Sequence, residues 1–66
     1  MNVNEVKQLV LDIRASANDD EAAHGMEDAL HKQVLQAIAD GWCDNPAECA
    51  AAALETKHIT FARWCA

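Results

Sequence analysis

Along the first half of the chain the apolar residues recur at the spacing of a helix. Val3, Val6, Leu9, Val10, Ile13 and Ala17 share one face of a 3.6-residue repeat, which predicts a helix over residues 3–15. Met1 is placed to staple onto Val6 across its start. Leu11 points away from that face, beside Lys7 and Arg14, as a lone exposed leucine or part of a contact surface. A second stripe of Ala23, Met26, Leu30, Val34, Ala37 and Ile38 predicts a longer helix over 19–40, closed by Gly41 as its C′ residue. Gly25 interrupts this helix at about 1 kcal/mol relative to alanine, a cost that a close backbone crossing would explain. A third helix is expected over 46–57. Pro46 stands at its first position, where the missing N–H is harmless. It is built mainly of Ala47 and Ala50 to Ala53, with Leu54 as its one large aliphatic anchor. The segment from Ile59 to Cys65 is too apolar to be left free. It reads as a short turn over 60–65, capped by Thr60 and stapled through Ile59 and Trp64, that plugs the bundle. A strand reading of the Ile59/Phe61 alternation lacks a partner strand.

Each helix is announced by the same signal. Asn-x-x-Glu occurs as Asn2/Glu5, Asn18/Glu21 and Asn45/Glu48. Asparagine accepts an orphan amide hydrogen of the first turn, and a glutamate three residues later can return the bond and suits the helix dipole. The expectation is a single all-α domain over 1–66, a small three-helix bundle with a C-terminal aromatic tail packed on it.

Size then limits function. A chain of 66 residues buries only about 60% of its unfolded surface. Little interior remains for an enclosed substrate pocket, which takes ~300 Å³ or more. A non-enzymatic protein without a cofactor is expected. Trp42 and Trp64 read as core or bundle-end residues rather than base-stacking platforms. The scarcity of aromatic residues leaves the lone bundle marginal and a homodimer open.

The net charge of −6 is concentrated in residues 19–48, where eight acids face Lys32 alone. Such a centre repels phosphate and disfavours nucleic acid. No apolar run approaches a membrane span. The N-terminal residues lack the pattern of a signal peptide. Cys43, Cys49 and Cys65 form an odd set without a Cys-x-x-Cys, which suits free thiols in a reducing cytoplasm. With His58 they make four possible ligands, but at no recognised zinc spacing.

The candidate chemistry lies on the second helix. At 100° per residue Asp20, His24, Glu27, Asp28 and His31 share one side, continued by Leu35. Left in water, this side reads as an acidic docking patch with an apolar centre, fit for a protein partner. The alternative is a metal-binding or enzyme-accessory role for Glu21, His24, Asp28 and His31. Their Glu-x-x-His and Asp-x-x-His steps echo half of a di-iron bundle site, though both steps fall on one helix. The bland account is a solvated charged face with local ion pairs.

The stretch Asp19-Asp20-Glu21-Ala22-Ala23-His24, then Glu27-Asp28-Ala29-Leu30, Ala37-Ile38-Ala39-Asp40-Gly41 and the closing Phe61-Ala62-Arg63-Trp64-Cys65, resembles a group of short proteins from phages, prophages and bacteria. The likeness runs from helix two to residue 65, and its ending is the most distinctive part. The group carries no assigned activity, so the resemblance assigns no functional residue. It implies a context in which small phage proteins bind and modulate host proteins, defence systems among them.

Overall fold

The computed structural model describes residues 1–63. Three helices pack against one another: α1 (Val3–Ala15), α2 (Asp20–Ala39) and α3 (Pro46–Leu54). A 3-10 turn, Glu55–His58, extends α3. Residues 59–63 then run without regular structure, and the described residues contain no strand. The turn expected over 60–65 is therefore absent through residue 63. Trp64 and Cys65, and with them the Ile59–Trp64 staple, lie outside the described residues.

The caps only partly follow the sequence pattern. Asn2 Oδ1 accepts from the Glu5 amide at 3.0 Å and starts α1. At α2 the capping residue is Asp19, not Asn18: its Oδ1 accepts from the Ala22 amide at 3.1 Å. The reason lies in the connection. Ser16 and Ala17 donate back to Ile13 and Arg14, and the Asp19 amide donates to the Ser16 carbonyl. That turn absorbs Asn18 and delivers Asp19 to the capping position. Asn45 begins α3 through its carbonyl, which accepts from Cys49 N at 2.9 Å, but its side chain makes no capping bond.

Gly41 closes α2 with φ +75°. Trp42 N donates to Ala37 O at 2.8 Å and Gly41 N to Ile38 O at 3.1 Å, the paired bonds of a Schellman motif. The bend throws the Trp42 ring outward. Its carbonyl accepts from the Met1 amino group at 2.7 Å, while three-quarters of the residue stays exposed, so Trp42 is no core residue. Gly25 is corrected as well: a Cβ built there would meet no described atom within 4 Å, so no close crossing requires it.

Val6, Val10 and Ile13 from α1, Ala23, Leu30 and Val34 from α2, Cys49 and Ala53 from α3, and Ile59 and Phe61 from the tail form the core. Met1, Val3, Leu9, Met26 and Ile38 are partly buried around it. Two expectations fail at the end of α3. The helix passes into the 3-10 turn after Leu54 instead of continuing to Lys57. The tighter winding carries Thr56 inward to 1% exposure, where its hydroxyl donates to Ala53 O at 3.1 Å. Leu54, expected as the anchor, is left 55% exposed. The anchoring volume comes instead from Ile59 and Phe61.

Candidate interaction surface on the second helix

The charged side of α2 is only partly left in water: Asp20, Asp28 and Leu35 are exposed, and Glu27, His24 and His31 are covered to differing degrees. Its buried frame runs Ala23, Glu27, Leu30, Val34, a 4-3-4 spacing that turns Glu27 inward beside the partly buried Met26. Glu27 is 6% exposed. A buried carboxylate demands a partner, and the tail supplies one. Arg63 Nε donates to Glu27 Oε1 at 2.9 Å and its Nη2 to Oε2 at 3.0 Å, a two-point fork. The same guanidinium donates to the carbonyls of Thr56 (2.8 Å), Ile59 (3.2 Å) and Phe61 (3.3 Å). It also lies 3.9 Å from the centre of the Phe61 ring. The Arg63 fork holds the Glu27 carboxyl below its ordinary value against the opposing effect of burial, and the same bond to Glu27 raises the Arg63 guanidinium.

The neighbours on this face are also engaged by the chain. Asp20 Oδ1 accepts from the Ala62 amide at 3.0 Å. His31 Nε2 sits 3.3 Å from Ala53 O and 3.2 Å from Thr56 Oγ1. A carbonyl can only accept, so in the contact with Ala53 O the His31 Nε2 is the donor. His24 is mostly covered, with its Nε2 3.6 Å from Asp28 Oδ2, while Asp28 faces solvent. Asp20, Glu27 and His31 are thus brought together as a receptor for the chain's own residues 56–63. Asp28 and Leu35 stay outside it.

Glu21 is exposed and joins none of these bonds. Glu21, His24, Asp28 and His31 do not converge: among the described residues no group of three or more His, Cys, Asp or Glu is placed to hold a metal ion. His58 lies on the surface beside Glu55, at 3.7 Å. Cys49 is fully buried, and the adjacent Cys43 thiol together with burial pushes its thiol up. Cys65 lies outside the described residues.

Sequence reasoning missed Arg63 as a site residue. A signal was present in the pairing of two anomalies: one acid in the apolar frame of α2, and one base in an otherwise apolar tail.

Three exposed leucines remain. Leu35 (67% exposed) and Leu54 (55%) rim a groove of about 250 Å³ between α2 and α3, floored by His31, Val34, Ala50 and Ala53. Leu11 (56%) borders a shallower depression of about 340 Å³ between α1 and α3, among Lys7, Arg14 and Glu55. No described helix is long and apolar enough to cross a membrane.

Fold and site together define a small three-helix protein in which Glu27 and His31 of the second helix are held by the chain's own residues 53–63. Comparison with protein-family models, with curated proteins and with solved structures finds no match.

Proposed function

We propose that this chain is a non-enzymatic interaction module that meets a protein partner through the groove between Leu35 and Leu54. The observation that carries the reading is the exposure of these two leucines on either side of an apolar groove, in a chain this small. Fully burying a leucine is worth about 1.5–3 kcal/mol, so two of them reward a partner that covers the groove. The non-enzymatic reading is supported by how the face is used. Glu27 and His31 are committed to Arg63, Thr56 and Ala53, and His24 is mostly covered beside Asp28. The partner surface therefore shifts from the full set Asp20, His24, Glu27, Asp28, His31 and Leu35 to Leu35 with Leu54, with Asp28 as a charged neighbour. Net charge of −6 favours a basic rim on the partner. The resemblance to short phage and bacterial proteins supports a host protein in that role.

The test is capture of host proteins by the wild type and by a Leu35→Lys/Leu54→Lys variant. Both positions are exposed, so the variant should melt as the wild type does. Loss of a captured protein with unchanged melting supports the proposal, and undiminished capture overturns it.

A further inference from the structure

We propose that residues 59–63 form an exchangeable arm, and that the α2 site holding it accepts the same segment from a second copy of this chain. The site is built as a receptor for an extended segment. Ile59 and Phe61 are buried in the core, Arg63 is gripped at both carboxylate oxygens of Glu27, and the Ala62 amide is held by Asp20. Release of the arm opens only the end of the 3-10 turn Glu55–His58 and leaves the three α-helices intact. Among the described residues its one backbone–backbone hydrogen bond runs from Ile59 N to Thr56 O at 3.0 Å. Thr56 is locked in the core, and the exposed Lys57 and His58 follow it as a hinge. Every contact the arm makes with the body is chemically identical when a second copy donates it, which is the condition for exchange between protomers. The short hinge gives the attached arm an effective concentration on the order of millimolar, so the intact protein is mainly monomeric when dilute.

Charge reversal isolates the exchange. Glu27→Arg sets two guanidinium groups against each other, and Arg63→Glu sets two carboxylates. Mixed together, these two variants regain a matched pair at both sites only by trading arms: one site recovers the native pair, the other its reverse. The expected result is a dimer holding one copy of each variant by native mass spectrometry, melting above either variant alone. The double variant Glu27→Arg/Arg63→Glu, with the reversed pair inside one chain, should fold as a monomer. A mixture that stays monomeric while this double variant folds overturns the proposal. So does a dimer formed by either single variant alone, since exchange there would repeat the like-charge clash. If the double variant does not fold, the wild type at about 1 mM becomes the test, and absence of any dimer there overturns the proposal.

Discussion

The carboxylate of Glu27 on α2 and the guanidinium of Arg63 in the tail meet in a two-point fork, at 2.9 and 3.0 Å, across 36 residues of sequence. Removing the acid strands the guanidinium among the carbonyls of Thr56, Ile59 and Phe61, and it loosens the segment that brings Ile59 and Phe61 into the core. Glu27→Ala should cost about 2 kcal/mol, below the range for fully buried pairs because the Arg63 side chain is 35% exposed. Urea unfolding at neutral pH measures it.

The same pair makes stability depend on acid. The Glu27 carboxyl is held below its ordinary value of 4.5, chiefly by the Arg63 hydrogen bond. As pH falls the unfolded chain therefore takes up this proton first. The contribution is fully present above the ordinary glutamate value and is lost as pH drops through the lower folded value. A urea series from about pH 6 to about pH 2 should show the wild-type midpoint falling toward that of Glu27→Gln, with the gap between them narrowing in acid. A constant gap would show that the carboxylate gains nothing from its surroundings.

The start of α2 gives a contrast between adjacent residues. Asp19 makes the capping bond and Asn18 does not. Asp19→Ala should therefore cost about 1 kcal/mol. Asn18→Ala, on an exposed turn, should stay within about 0.5 kcal/mol. Thermal melts of the two variants decide between the capping positions.

Two glycines should respond to alanine in opposite directions. Gly25 is mid-helix with open space around it, so Gly25→Ala should stabilise by about 0.5–1 kcal/mol. Gly41 holds φ +75°, so Gly41→Ala should destabilise by about 1–2 kcal/mol. At this chain length 1 kcal/mol moves the melting temperature by roughly 4–8 °C, so both signs are readable in one experiment.

The fold was legible in the sequence because its signals are local. Apolar periodicity located the first two helices, alanine content with Pro46 located the third, and Gly41 and Pro46 marked boundaries that the backbone respects. What escaped was non-local. The frame of α2 takes in Glu27 beside the partly buried Met26, and the partner that lets a carboxylate lie there is Arg63, far along the chain. Thr56 entered the core because the backbone tightened into a 3-10 turn, a change of winding that residue spacing does not reveal. Leu54 stayed outside because α3 turns Cys49 and Ala53 inward. Periodicity put Asp20, His24, Glu27, Asp28 and His31 on one side of α2, but it does not say what covers a side: the tail takes Asp20, Glu27 and His31 and leaves Asp28 in solvent.

The most direct measurement is a double-mutant cycle on Glu27→Ala and Arg63→Ala, read by urea unfolding at neutral pH. If the tail is held on α2 by this pair, the double variant will be scarcely less stable than the weaker of the two single variants. Single-variant losses that simply add in the double variant would show that Glu27 and Arg63 act independently, and the clasp of the tail on α2 would have to be abandoned.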